Sequence, residues 1–140
     1  VYKRQEMTRR SLELNRKLLG EEHPRFGDNL LALADILLRR GEVEEAELQT
    51  LRALGIYRSS LPADHLKIAG AESTLGAVRT AQGRFEAAEP LAVGSYERMV
   101  RQKERAPERM RGLETVIALY EAWGRPDEAA RYRSQLPPKQ

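Results

Sequence analysis

The two histidines are the residues of this chain with the clearest capacity for chemistry. His23 and His65 lie 42 positions apart, each ahead of an apolar stretch. A protein zinc site takes three or four ligands, and no third candidate recurs at this spacing. We therefore predict no metal site and no cofactor, and we expect each imidazole to form a hydrogen bond near the start of a helix.

The sequence carries no catalytic motif. There is no cysteine, which excludes thiol nucleophiles, thiolate zinc sites and disulfides, and which suits a reducing compartment. The carboxylates are scattered, and the chain shows no Ser-His-Asp arrangement, HExxH or phosphate-binding glycine loop. We predict that this segment is not an enzyme and has no catalytic residue.

Two runs of basic residues raise the question of nucleic-acid binding. They are Lys3, Arg4, Arg9, Arg10, Arg16 and Lys17, and Arg98, Arg101, Lys103, Arg105, Arg109 and Arg111. Glutamates interrupt both runs at spacings that suit helical ion pairs, and only Tyr96 is near enough to stack on a base. With a formal net charge of only +3, we interpret both runs as solvated helix faces and expect no nucleic-acid partner.

Composition and hydropathy favour an all-α chain without a membrane span. Charged residues make up 32% of the chain and aromatic residues 6%, which favours surface-rich helices over a β-sandwich. Apolar runs are only a handful of residues long, and residues 1–20 are rich in Arg and Lys. We expect neither a transmembrane helix nor a signal peptide, no membrane partner and a cytoplasmic location.

One phrase occurs three times and determines the predicted organisation. It reads GEVEEAE at residues 41–47, GRFEAAE at 83–89 and GRPDEAA at 124–130, with spacings of 42 and 41 residues. A period of this length is typical of repeats built from helix pairs. We predict a single repeat domain over residues 1–140, made of the second helix of a truncated unit at 1–20 and units at 21–62, 63–104 and 105–140.

Each unit is predicted to contain two antiparallel helices joined at the glycine of the phrase. Apolar residues recur every three or four positions, and a glycine such as Gly41 can take the left-handed conformation that ends a helix. Ala46 and Ala88 are small enough for paired helices to approach closely, and Trp123 is expected to cover a repeat interface. The seven predicted helices cover about 2–19, 24–40, 43–60, 65–82, 84–103, 107–123 and 126–136.

Two segments resemble a known repeat family. Residues 41–54, in which GEVEEAE precedes Arg52-Ala53-Leu54, are similar to the tetratricopeptide repeat (TPR) pattern. The LGEEHP linker at 19–24 and the 42-residue spacing resemble the long repeats of kinesin light chains and their bacterial relatives. The resemblance covers about residues 11–136, departs from the pattern at Arg79 and Pro126, and implies a right-handed TPR-like solenoid.

That resemblance also implies a function. In such solenoids the first helices of the units line a concave surface that can hold a peptide. We predict a non-catalytic protein-interaction module or scaffold that binds a peptide or helix of a partner there, with a spacer or internal docking face as the alternative. The predicted groove residues are Asp28, Leu31, Ala32, Asp35, Leu38, Arg39, Ser73, Thr74, Ala77, Thr80, Ala81, Arg111, Glu114, Thr115, Ala118 and Glu121.

The C-terminal end carries a second resemblance. Residues 119–130, followed by QLPP at 135–138, are similar to the tail of repeat regions at the C-terminus of bacterial serine/threonine protein kinases. This implies an alternative function as the regulatory or sensor region of a larger kinase. The segment itself contains no HRD or DFG triplet, so we expect no kinase chemistry in it.

The two ends lead to different expectations. Residues 1–19 match the second helix of a unit, so we expect the native protein to continue upstream and the apolar face of this helix to be exposed. A homodimer through that N-terminal edge follows as a prediction. Pro137 and Pro138 stop the last helix, and we interpret them as a natural terminus.

Overall fold

The computed structural model describes residues 2–102 and 106–138, and the regular secondary structure in these ranges is entirely α-helical. The helices are α1 (Tyr2–Leu19), α2 (Pro24–Arg39), α3 (Val43–Ser60), α4 (Leu66–Ala81), α5 (Phe85–Arg101), α6 (Ala106–Ala122) and α7 (Pro126–Arg133). The all-α prediction is confirmed, and the predicted helix limits agree closely except at the end of α7. The predicted end of α5 at 103 lies outside the described residues.

Helix α7 is shorter than predicted. It ends at Arg133, and the chain then tightens into a turn in which the N–H of Leu136 donates to the carbonyl of Arg133 at 3.0 Å. Pro137 disfavours helical backbone in the residue before it. A helix that continues to residue 136 is therefore wrong.

Contacts divide the chain into two compact units, residues 1–71 and residues 72–140. The limit between these N-terminal and C-terminal units falls inside α4. In the N-terminal unit α2 contacts both α1 and α3, and in the C-terminal unit α6 contacts both α5 and α7. The division into one domain with limits after residues 20, 62 and 104 stays a prediction.

The repeated glycines adopt the predicted backbone conformation. The φ angles of Gly41, Gly83 and Gly124 are 80°, 73° and 74°, in the region that only glycine enters without strain. The N–H after each glycine donates back to the helix that has just ended, as in the 2.9 Å bond from Glu42 to the carbonyl of Leu37. This is the pattern of a Schellman helix end, and it turns the chain into the next helix.

The N-terminal unit has a mainly aliphatic core. Phe26 and Leu30 of α2 pack with Ala53 and Ile56 of α3. Ala46 has no exposed surface, which agrees with the prediction that this position lets paired helices approach closely. Gly27 serves the same purpose, because a Cβ there would lie 2.8 Å from a ring carbon of Tyr57.

The C-terminal unit is built around aromatic rings. Tyr120 of α6 stacks on Trp123 and on Tyr132 of α7, with ring centroids 6.3 and 5.7 Å apart. Trp123 also stacks on Phe85 of α5 at 5.7 Å, so its ring packs against both α5 and α6. Pro126, which stands where Phe85 stands in the preceding phrase, is exposed.

Candidate interaction surfaces

The histidines lie at helix starts and bond to the backbone. Nδ1 of His23 accepts a hydrogen bond from the N–H of Arg25 at 3.0 Å, and Nδ1 of His65 accepts one from Lys67 at 3.1 Å. Each ring thus satisfies a donor that a helix start leaves unpaired, which confirms the structural role predicted for both. Within residues 2–102 and 106–138, no group of three or more His, Asp or Glu side chains could hold a metal ion.

The predicted binding face of α2 is partly open to solvent. Ala32 and Arg39 are exposed, whereas Leu31, Asp35 and Leu38 are half-buried. Leu31 packs against the aliphatic core, so its side chain forms the edge of this face. We call these five residues the α2 strip.

Asp28 connects α2 to α3 and α4 through its two carboxylate oxygens. One carboxylate oxygen accepts from the hydroxyl of Tyr57 in α3 at 2.5 Å, and the other lies 2.8 Å from Nζ of Lys67 in α4. Burial, together with the bond to Asp28, raises the pKa of Tyr57 and keeps its hydroxyl protonated as the donor. Asp28 was predicted as a groove residue, but both of its oxygens already hold neighbouring helices in place.

Helix α4 exposes fewer of its predicted groove residues than expected. Ser73 is only 6% exposed, so its assignment to an open groove is wrong. It lies one helical turn before Gly76, where a Cβ would approach the backbone nitrogen of Ala92 to 3.1 Å, and this side of α4 is therefore packed closely on α5. The other predicted residues, Thr74, Ala77, Thr80 and Ala81, are half-buried or exposed.

Helix α6 presents the most continuous of the predicted faces. Arg111, Glu114, Ala118 and Glu121 are exposed, and their spacing of three or four residues places them in one line, the α6 strip. At 1.5 Å per residue the line is about 15 Å long. Glu121 accepts from Arg133 at 2.9 Å. Thr115, which is half-buried, bonds to the carbonyl of Arg111 within the helix.

The buried tyrosines form hydrogen bonds that no sequence pattern predicted. The hydroxyl of Tyr96 donates to Gln135 at 2.7 Å, and that of Tyr120 donates to Glu89 at 2.8 Å. Burial raises the pKa of both tyrosines. Because Tyr96 is only 6% exposed, it is not available to stack on a base. The sequence offered only a general indication of these bonds, because a buried tyrosine hydroxyl usually needs a hydrogen-bond partner.

The basic run of α1 forms the predicted helical ion pairs. Glu6 lies 2.9 Å from Arg10, and Glu13 lies 3.5 Å from Lys17, each four residues apart. In the second run Arg98 pairs with Glu72. Lys103 and Arg105 lie outside the described residues.

Helix α1 also exposes apolar side chains. Met7, Leu14 and Leu18 are 61%, 56% and 70% exposed, and their spacing places them along one side of the helix. The exposure predicted for this helix is thus confirmed. None of the helices in the described part of the chain is long and apolar enough to cross a membrane.

Comparison with known proteins identifies the fold. No protein-family model and no curated protein matches the chain, whereas solved TPR-like structures do. Two crystal structures of nearly identical TPR-like repeats, from a Podosopora anserina protein described as a kinesin light chain, one of them a single-substitution variant, have TM-scores of 0.65 and 0.62. Both are 22% identical to this chain and cover 94% of it.

The fold is therefore that of TPR-like repeats, and the predicted resemblance to kinesin light-chain repeats is confirmed at the level of structure. The chain spans 62% and 63% of the lengths of those two chains. The resemblance to repeat regions of bacterial kinases stays a prediction.

Proposed function

We propose that the chain is a non-catalytic protein-interaction module that holds a peptide or helix of a partner against the exposed faces of its first helices. TPR-like repeats generally serve as scaffolds for protein contacts. The observation that carries the proposal is the α6 strip, four exposed side chains in line on a helix whose opposite side is buried. The cytoplasm, where a chain without cysteine needs no oxidising conditions, is the proposed location.

The chemistry of the strips suits a peptide backbone. Ala118 lies in the middle of the α6 strip and is small enough for a backbone to approach the helix closely. Glu114, one helical turn before it, can accept hydrogen bonds from peptide N–H groups. In the N-terminal unit, Ala32 is likewise exposed and small.

Selection of peptides by display tests the proposal. The full chain would be used to select binders from a library of natural peptide sequences, and their affinities would be measured for Ala32→Arg and Ala118→Arg. Both substitutions place a long cationic side chain within a strip, and arginine is nearly as good a helix former as alanine. We expect at least one of them to weaken a selected peptide about tenfold or more.

Matched controls use exposed alanines elsewhere. Ala63 lies in the linker before α4 and Ala130 on α7, and both are exposed. Ala63→Arg and Ala130→Arg should leave the affinity within about twofold. Equal binding by all four variants would move the site to another surface, and failure to select any peptide would favour the spacer alternative. A strong decrease of affinity with salt for nucleic acid, but not for peptide, would favour a nucleic-acid binder.

The exposed stripe of α1 supports a homodimer as a second proposal. Burying Met7, Leu14 and Leu18 against a second copy would remove apolar surface from water. However, α1 carries six basic and two acidic residues, so two copies would bring like charges together. Because salt screens this repulsion, we expect sedimentation equilibrium to show tighter association at high salt, and Leu14→Glu to abolish it. A monomer at every salt concentration would reject the dimer.

A further inference from the structure

An open cleft lies between α1, α2 and α3 of the N-terminal unit, apart from the strips proposed above. Its volume is about 270 Å³. The floor consists of Phe26 and three leucines of α1 and α2, and the rim carries three arginines, Arg9 and Arg16 on α1 and Arg52 on α3. The cleft therefore combines an apolar base with a cationic mouth.

The three arginines differ in their partners. Arg9 lies 3.4 Å from Glu45, and Arg16 lies 3.6 Å from Glu21. Arg52 reaches no carboxylate within the described part of the chain. Its guanidinium donates to Gln49 at 3.1 Å and lies 5.8 Å from the centre of the Phe26 ring. The positive charge at this point of the rim is thus available to an anion.

The lining favours a hydrocarbon chain over a peptide. A peptide backbone in the cleft would need partners for its N–H and C=O groups, and leaving them unpaired costs free energy. The one neutral polar side chain of the lining is Gln49, whose carbonyl oxygen already accepts from Arg52. Glu13, the lining carboxylate, repels anions but lies 3.5 Å from Lys17, which offsets its charge.

We infer that this cleft binds a medium-chain alkyl carboxylate. The hydrocarbon chain lies against the half-buried Leu12 and the aliphatic stems of the lining arginines, above the buried floor, where part of it is removed from water. The carboxylate accepts hydrogen bonds from the guanidinium of Arg52. Sites for small ligands commonly have this composition, an apolar lining with one or a few polar groups that fix the orientation. The inference concerns a different surface from the proposed function and does not depend on it.

Calorimetric titration of the full chain with decanoate, below its micelle concentration, tests this inference. We expect saturable binding at one site. Decanol keeps the chain but lacks the charge, and acetate keeps the charge but lacks the chain, so both should bind at least about tenfold more weakly. A hydrogen bond to a charged group is worth roughly this factor or more.

Variants locate the site. Arg52→Gln should weaken decanoate about tenfold or more, whereas Arg52→Lys, which keeps the charge, should bind within a few-fold of the parent chain. Arg25 is exposed on the first turn of α2 and does not line the cleft, so Arg25→Gln is the matched control and should bind as the parent chain does. Circular dichroism melting would establish that each variant remains folded.

Three results would overturn the inference. They are decanoate binding that does not saturate, equal affinities of Arg52→Gln and Arg25→Gln, and equal affinities of decanol and decanoate. A capped tri-leucine peptide with a free C-terminal carboxylate is the alternative occupant. If it binds in an Arg52-dependent manner while decanoate does not, the cleft is a peptide site and the alkyl carboxylate is wrong.

Discussion

The N-terminal and C-terminal units use the same glycine turn but fill the space between their helices differently. In the first, Leu30, Ala53 and Ile56 pack with Phe26. In the second, Phe85, Trp123 and three tyrosines pack together with aliphatic side chains of α5, α6 and α7. Helix α7 has only 8 residues, so each residue that it contributes must bury much surface, and an aromatic ring buries more than an aliphatic side chain. The repeat thus fixes the path of the backbone and leaves the core composition open.

Removing a central aromatic ring of the C-terminal unit should cause the largest loss of stability. Tyr120→Ala would delete the ring that stacks on both Trp123 and Tyr132, and we expect the free energy of unfolding to fall by about 3–5 kcal/mol. Urea titration followed by the fluorescence of Trp123, the one tryptophan, measures this in the C-terminal unit. Tyr120→Phe, which retains the ring, is the control. A similar loss in both variants would show that the hydroxyl, not the ring, holds the unit together.

Two glycine substitutions compare the packing of the units directly. In Gly27→Ala the new Cβ meets the ring of Tyr57 at 2.8 Å, and the bond to Asp28 prevents that ring from moving freely. We expect a loss of about 1–3 kcal/mol. In Gly112→Ala the Cβ meets the sulfur of Met99 at 2.8 Å, but this flexible side chain can move aside and alanine favours the helix.

The stability of Gly112→Ala should therefore equal or exceed that of the parent chain, as measured by thermal or urea unfolding. A useful control places Gly27→Ala in a Tyr57→Leu background, where the rigid ring is gone and the additional cost should shrink. If the two alanine variants lose the same stability, the proposed difference between a rigid and a flexible neighbour is wrong.

The hydrogen bond between Tyr57 and Asp28 in the N-terminal unit predicts that stability depends on pH. Tyr57→Phe removes one bond to Asp28 but leaves the contact with Lys67, so we expect a loss of about 1–2 kcal/mol at neutral pH. In the unfolded chain a tyrosine ionises near pH 10, whereas burial and Asp28 raise the pKa of Tyr57 in the folded chain. Above about pH 10 the folded chain holds the proton that the unfolded chain has lost, so its stability falls as pH rises.

Urea titrations between neutral and alkaline pH check this sign. The decrease above about pH 10 should be less steep in Tyr57→Phe than in the parent chain. Tyr120→Phe should reduce the steepness too, because burial and Glu89 also raise the pKa of Tyr120. An unchanged slope in both variants would contradict the assignment.

A smaller loss of stability is expected from removal of the side-chain cap at the start of α2. His23→Ala removes the acceptor for the N–H of Arg25 and should cost roughly 0.5–1 kcal/mol. His23→Asn supplies a preferred capping side chain and should restore the stability. In the C-terminal unit α5 and α7 begin without a side-chain cap, so Arg84→Ala should not show this loss. Equal effects of His23→Ala and His23→Asn in thermal unfolding would reject the capping role.

Features that depend only on neighbouring residues in the sequence could be predicted from it. The glycine of the repeated phrase and the histidine caps both depend on neighbours within a few residues. The bond between Tyr57 and Asp28 joins residues 29 positions apart, so it depends on how two helices are aligned. Ser73 was placed wrongly for the same reason, because the crossing of α4 and α5 at Gly76 decides which side of α4 is covered.

The three turn glycines also mark positions at which a D-amino acid could replace the natural residue. Gly41, Gly83 and Gly124 are exposed and have positive φ angles, which a D-amino acid prefers. D-Alanine, introduced by chemical synthesis, would restrict the unfolded chain while matching the folded backbone. By analogy with favourable glycine replacements, each such substitution should add roughly 0.4–1 kcal/mol, whereas L-alanine at the same position should be destabilising. These repeats thus contain single sites at which the mirror-image residue is the better building block.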